Sequence, residues 1–238
     1  MPIFNRMRRR SLDLGQIGDY LRYALGEIIL VVIGILIALR INTWNAERKD
    51  QAELHGILAQ VQSDMAEDTL AIHLILGDYN QRKPMIRKLL NDSLDAADLQ
   101  TCTHCIGFGL NYIPFYFKQS GFRALDRFQT SARSDSLLRE LLSFYNGSVE
   151  TVEQISEMVG NDAASNNNYL RDRYEWYSQG MAYVQGIQAL QLHDHMYRNR
   201  LLFHYELAYN NYLGILEAIL DWERETIAQL EARLNAEA

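Results

Sequence analysis

Residues 23–44, YALGEIILVVIGILIALRINTW, constrain this chain more than any other stretch, because they form one apolar run long enough to cross a bilayer as a helix. At about 1.5 Å per residue the run covers roughly 30 Å, the thickness of a hydrocarbon core. The residues that follow are polar, acidic and spaced at helical period. The chain therefore reads as one membrane anchor joined to one water-soluble domain. Residues 28–39 alone have the length of a signal-peptide core, but no small-x-small cleavage pattern follows them; the next residues are Arg40, Ile41, Asn42, Thr43 and Trp44. An uncleaved signal anchor is the expectation.

Positive charge sets the orientation. Residues 1–22 hold Arg6, Arg8, Arg9, Arg10 and Arg22 against Asp13 and Asp19, a balance of +3. The other flank holds only Arg40, Arg48 and Lys49 close to the span. The expected division is a cytoplasmic basic N-terminus at 1–22, a transmembrane helix at 23–44, and an extracytoplasmic, periplasmic helical domain at 45–238. This is the layout of a single-pass protein of the bacterial inner (cytoplasmic) membrane. Tyr20, Tyr23 and Trp44 fall where aromatic side chains anchor a span at the lipid headgroups. Asp13 and Asp19 argue against a mitochondrial transit peptide, which is poor in acids. The formal net charge of −7 leaves −10 to the residues after 22. Such an acidic domain lacks the clustered Lys and Arg that phosphate contacts require, so nucleic acid is excluded as a partner.

The span also has a preferred side. At about 100° per residue, Glu27, Val31, Gly34, Ala38 and Ile41 share one helix face. Gly34 and Ala38 make the small-xxx-small pattern that lets two membrane helices approach closely. A carboxylate such as Glu27 is costly inside a bilayer and calls for a partner. The expected use of this face is a helix–helix contact, with a second copy or with another membrane protein, and Glu27 hydrogen-bonded across it. The alternatives are that Glu27 reaches the headgroups and the small residues are incidental, or that Glu27 serves proton or ion passage.

The run GEIILVVIGILIALRINTWNAERK resembles the N-terminal signature of a bacterial family of uncharacterised single-pass membrane proteins, a domain of unknown function with the pattern GEIxLVVIGILIALxINxWN. Gly26, Glu27, Ile28, Gly34, Ala38, Ile41, Asn42, Trp44 and Asn45 carry the likeness. A weaker one covers residues 117–121, FKQSG, and 137–146, a Leu-rich stretch ending in Tyr145 and Asn146. The resemblance implies a fold type and a membrane location but no activity, and it leaves the Cys-x-x-Cys unexplained.

Beyond the span, Leu54, Leu58, Val61, Met65, Ile72, Ile75 and Tyr79 recur every three to four residues, the seam of a coiled coil or bundle helix. Asp68 sits in that seam with Asp64 one turn earlier. It is either a buried polar group that fixes register or meets another helix's end, or a ligand or metal carboxylate. Gly77 and Pro84 predict a bend or break near 78–84. Residues 91–113 read as a loop, 114–120 as a short helix stopped by Gly121, and Ser134 as the cap of a long helix reaching as far as 177. Residues 161–168 are too polar to bury, hence a solvated face or a break. A turn over 178–186 leads to a last helix over 193–235, begun by His193, Asp194 and His195. The fourteen tyrosines fit as core residues with hydroxyls at the surface, with an aromatic- or sugar-binding groove as the alternative. No segment alternates at strand period. The fold class is all-α: an N-terminal transmembrane helix continuing into an extracytoplasmic up-and-down helical bundle.

Cys102 and Cys105 admit three readings: a structural disulfide, a redox pair, or metal ligands with His193 or His195. In an oxidising periplasm the short-loop disulfide is favoured. The sequence holds no G-x-S-x-G, H-E-x-x-H, P-loop or G-x-G-x-x-G. The expectation is thus a protein without enzymatic activity or cofactor, whose partners are membrane lipid and either its own copies or another membrane protein. Its periplasmic bundle would mediate protein–protein assembly. A periplasmic sensory or ligand-binding domain signalling through a partner membrane protein is the alternative.

Overall fold

The computed structural model describes residues 14–91, 93–102, 104–128 and 135–237, with side chains from residue 25 onward apart from those of 96, 100 and 237. Arg6, Arg8, Arg9, Arg10, Asp13 and Ser134 lie outside the described residues, as do the side chains of Asp19, Tyr20, Arg22 and Tyr23. The chain divides into two compact units, Met1–Glu53 and Leu54–Ala238. No strand occurs among the described residues.

The first helix, α1, is Leu14–Leu90. It does not break at 78–84. Pro84 removes one N–H and opens the carbonyl of Asn80, but both residues are exposed, so water satisfies that carbonyl. Arg82 and Asp78 add an ion pair at 2.6 Å across the same turn. After α1, the stretch read as loop contains a short helix, α2, Ala96–Thr101. Asp95 starts it through a capping box with Asp98, with Asp98 N–H donating to Asp95 at 2.7 Å.

Residues 111–119 have no regular structure, and the helix expected at 114–120 lies instead at Ser120–Arg127 (α3). Gly121 is in its first turn and does not cap a preceding helix. The reason is close packing: a Cβ on Gly121 would lie 2.4 Å from Val61 N and 2.7 Å from Val61 Cα. Only a residue without a side chain lets α3 rest directly on the backbone of α1.

The long helix α4, Ser136–Arg173, is capped by Asp135, whose carboxylate accepts from Leu137 and Leu138 N–H at 2.9 and 3.3 Å. Arg233 donates to the same carboxylate at 2.6 Å. The helix ends at Arg173, short of 177, and passes unbroken through the polar residues 161–168. A 3-10 turn, Glu175–Ser178, and Gly180 at φ +55 then reverse the chain. Helix α5, Met181–His193, occupies most of the segment read as a turn. Asp194 caps α6, His195–Tyr205, by accepting from Met196 and Tyr197 N–H at 2.8 and 3.0 Å. A π-helical segment, Glu206–Tyr212, joins α6 to α7, Leu213–Glu237, so the last helix is not uniform.

Within Leu54–Ala238 the buried apolar residues form two clusters. One is built on Leu58, Val61 and Met65 of α1 with Leu125, Leu138, Leu141, Tyr145 and Leu230. The other gathers Ile72, Ile75 and Tyr79 with Val152, Val159, Tyr197, Tyr212 and Leu216. Rings of α4 and α7 stack, Phe144 on Trp222, and Phe122 of α3 stacks on Tyr145 at 4.8 Å. The tyrosines do not all send their hydroxyls outward: those of Tyr145 and Tyr197 are buried, and Tyr212 donates to the Ile113 carbonyl at 2.9 Å.

Replacing Gly121 with Ala is expected to destabilise Leu54–Ala238 by about 1–3 kcal/mol, the usual range for overpacking a closed contact. Chemical denaturation of the variant beside the parent chain measures it. An unchanged midpoint would show that α3 does not rest on Val61.

Candidate functional site

Between the two apolar clusters lies a polar layer. Asp64 and Asp68 of α1 are both buried, as are Glu223 and Thr226 of α7. Asp68 accepts the Lys118 N–H on both oxygens, at 3.0 and 3.1 Å, and Asp64 accepts the Gly121 N–H at 2.7 Å. Two carboxylates of α1 thus receive backbone donors that lead into and open α3, where uncompensated N–H groups favour negative charge. Of the two readings of Asp68, the structure shows the carboxylate meeting another helix's end. Among the described residues no group of three or more His, Cys, Asp or Glu is arranged to hold a metal ion.

Glu223 is different. It is fully buried, and neither of its carboxylate oxygens accepts a hydrogen bond. Burial pushes its carboxyl up to about 9, with Asp68 adding to the rise. Burial also raises Asp68, to about 7, although the Lys118 N–H opposes it; Asp64 and Glu67 push the same way as burial. Tyr145, whose hydroxyl is likewise buried, is raised by burial and then by the charges of Glu223, Asp68 and Asp64. A buried carboxyl of this kind holds its proton at neutral pH. Sequence reasoning did not single out Glu223. The signal was present, an acid in the apolar stripe between Leu220 and Leu230, the same anomaly that marked Asp68.

A second polar arrangement holds the irregular segment around the cysteines. Cys102 and Cys105 are joined as a disulfide and are buried. Cys102 is at the C-terminal end of α2, not at a helix N-terminus where a thiolate would be stabilised. His195 meets Arg198 at 2.7 Å. The carbonyls after the first cysteine are taken by amide side chains: Gln191 donates to Cys105 O at 2.6 Å, Asn166 to Gly109 O at 2.9 Å, and Asn167 to Leu110 O at 2.7 Å. Asn166 is fully buried, so the polar run at 161–168 is not simply a solvated face. Its Nδ2 also donates to Asp162 at 3.1 Å, and Asp162 meets His204 Nδ1 at 2.9 Å. Gly109 has φ +79, a backbone conformation that strains any residue with a side chain, and a Cβ there would also press on the end of the Leu201 side chain.

In Met1–Glu53, Glu27, Val31, Gly34, Ala38 and Ile41 lie on α1 with their side chains exposed, and a Cβ on Gly34 would meet nothing within 4 Å. Trp44 is exposed, with the Arg48 guanidinium 6.0 Å from its ring centroid. The apolar residues before it are exposed throughout; Leu30 is 73% exposed. Among the described residues one helix is long and apolar enough to cross a membrane.

Residues 27–122 match a family described as Family of unknown function (DUF6090), over less than half of the chain. The matched region takes in the exposed apolar stretch from Glu27, Asp64 and Asp68, the disulfide, and Gly121. No curated protein and no solved structure matches the chain.

The raised carboxyls have a consequence for stability. At Asp68 and Glu223 the native state keeps protons that the unfolded chain releases near its ordinary carboxylate values, so their contribution to stability is greatest at low pH and is lost as pH rises toward about 9. Thermal unfolding of the full chain in detergent is expected to give a lower midpoint at about pH 8.5 than at about pH 5, and Glu223→Gln should flatten that decline. A midpoint that rises across this range, or a slope indifferent to the substitution, would remove the protonated Glu223. Separately, Asn166→Leu is expected to cost about 1–3 kcal/mol, because it leaves the Gly109 carbonyl buried without a donor. Hydrogen exchange should show the loss first in residues 104–112.

Proposed function

We propose that this chain is a non-enzymatic single-pass protein of the bacterial inner membrane whose helical domain, on the periplasmic side, mediates protein–protein assembly. The observation that carries the reading is the uninterrupted exposure of apolar side chains from Leu25 to Ile41, which water does not tolerate and lipid or a second helix would cover. Within that stretch the face of Glu27, Val31, Gly34, Ala38 and Ile41 combines a carboxylate with two small residues. Close approach at Gly34 and Ala38 would bring a neighbouring helix near enough to hydrogen-bond Glu27 and lower its cost in lipid. The cytoplasmic N-terminus follows from the arginines of residues 1–22.

A sensory or ligand-binding role, signalling through a partner membrane protein, is the second reading. It draws support from a groove bordered by Tyr169, Arg173, Arg200 and Phe203.

Gly34→Leu tests the assembly directly, because a Cβ at this position has open space around it. Blue-native electrophoresis of the detergent-solubilised protein is expected to show an assembly larger than one chain, shifted to a smaller species by the substitution. A single-chain species that Gly34→Leu leaves unchanged would sink the helix-contact reading.

A further inference from the structure

One surface of Leu54–Ala238 carries positive charge that the chain itself does not neutralise. Toward the C-terminal end of α4, two guanidinium groups lie over the ring of Tyr169: Arg173 at 4.3 Å and Arg200, from α6, at 4.4 Å. Arg200 Nη1 donates to Asn166 Oδ1 at 2.9 Å and to Ser165 Oγ at 3.4 Å. Among the described residues its other nitrogens donate to none, Arg173 makes no hydrogen bond, and neither arginine pairs with a carboxylate. The ring's negative face attracts both cations, but it cannot satisfy their in-plane donors.

These groups border a groove of about 500 Å³ whose other walls include Met196, Asn199 and Phe203. Met196 and Phe203, 68% and 56% exposed, supply apolar surface at the side of the groove. Asp162 also borders the groove, with its Oδ2 engaged by His204 and Asn166. The setting is therefore two unpaired cations, one occupied anion and an apolar wall, on a domain that is otherwise strongly acidic.

We propose that this groove binds a small organic carboxylate, its anion held by Arg173 and the unspent donors of Arg200 and its apolar part laid against Phe203 and Met196. A planar guanidinium matches a carboxylate through two parallel hydrogen bonds, which a point charge cannot do. The groove is open and its walls are mixed, with Arg173, Arg200, Asn199 and Asp162 beside Tyr169, Met196 and Phe203, so the polar groups decide which ligand chemistry fits. Asp162 disfavours a phosphate dianion, since its charge borders the same space; a monoanion meets a net positive site. The proposal does not depend on the membrane-helix contact, because all of its residues lie in Leu54–Ala238.

Equilibrium dialysis of labelled benzoate against the full chain in detergent tests it, with benzamide as the neutral match and inorganic phosphate as competitor. Saturable uptake of benzoate, one per chain, is expected, with no saturable uptake of benzamide and weak competition by phosphate. Arg173→Gln and Arg200→Gln should each weaken benzoate about tenfold or more, the loss of one charge-assisted hydrogen-bonding partner. Asn199→Asp, an exposed position that makes no side-chain hydrogen bond, should weaken it too by adding a negative charge, and it leaves the packing untouched. Uptake that does not saturate, or that is equal for benzoate and benzamide, overturns the proposal, as does binding indifferent to all three substitutions. Phosphate competing as well as benzoate also overturns it, since the site would then recognise anions in general.

Discussion

The domain depends on two carboxylates of α1 that receive backbone N–H groups from the segment entering α3. Asp68 takes Lys118 and Asp64 takes Gly121, the latter at 2.7 Å and fully buried. Without Asp64 the Gly121 N–H, in the first turn of α3, would be buried against α1 with no acceptor, at a cost of about 1–3 kcal/mol, while Asp68 holds the part-buried Lys118 N–H just before the helix. The same contact requires Gly121, because a side chain there would enter the Val61 backbone. Charge, hydrogen bonding and the absence of a Cβ therefore all serve one docking event. The acids that make it possible also lie between the two apolar clusters, and Asp68 adds to the cost that burial places on a charge at Glu223. A protonated Glu223 is how the layer tolerates a third buried acid.

The irregular chain between α2 and α3 poses a related problem, since buried backbone carbonyls outside helices need donors. The disulfide and the amide side chains both restrain this segment, and their sizes can be compared. Closing so short a loop, with the cysteines separated by 3 in sequence, restricts the unfolded chain by only about 2 kcal/mol. Asn166 and Asn167 each satisfy a carbonyl that would otherwise cost about 1–3 kcal/mol to bury, and Gln191 adds a second donor to the Cys105 carbonyl, which also accepts the Phe108 N–H. The amides together are the larger contribution. They also place the segment against α4 and α5, which a bond within the loop cannot do.

That balance explains what could be read from the sequence. The helices with apolar periodicity were legible: the seam from Leu58 to Tyr79, the stripe from Leu138 to Ile155, and the stripe from Tyr205 to Ile219 all lie on helices. Asp68 was legible as an anomaly because it interrupts such a seam. What escaped was every feature whose cause lies in a distant segment. Pro84 looked like a break, but α1 runs on through it at an exposed turn where the opened carbonyl is not sealed from solvent. Gly121 looked like a helix stop because its real partner, Val61, is sixty residues away in sequence. Residues 161–168 looked too polar to bury because the carbonyls of Gly109 and Leu110 were not in view. Local propensity is decided by neighbours in sequence, whereas these positions are decided by neighbours in space.

Where function can reside follows from which groups remain uncommitted. Asp64, Asp68, Asn166, Asn167 and Gln191 all spend hydrogen bonds on backbone, and Asp162 spends its carboxylate on His204 and Asn166. A side chain engaged this way is held in one geometry and is poorly placed to exchange partners with a ligand. Glu223 is uncommitted but sealed from solvent, so it can exchange a proton only when the helices around it open. Two exposed groupings stand apart from these: the apolar side chains between Leu25 and Ile41, and the arginines over Tyr169 with Met196 and Phe203 beside them. The first require an apolar medium or another helix, and the second an anion with an apolar group attached. The interior of the domain builds the scaffold, and the proposed helix contact and the proposed carboxylate site rest on these two surfaces.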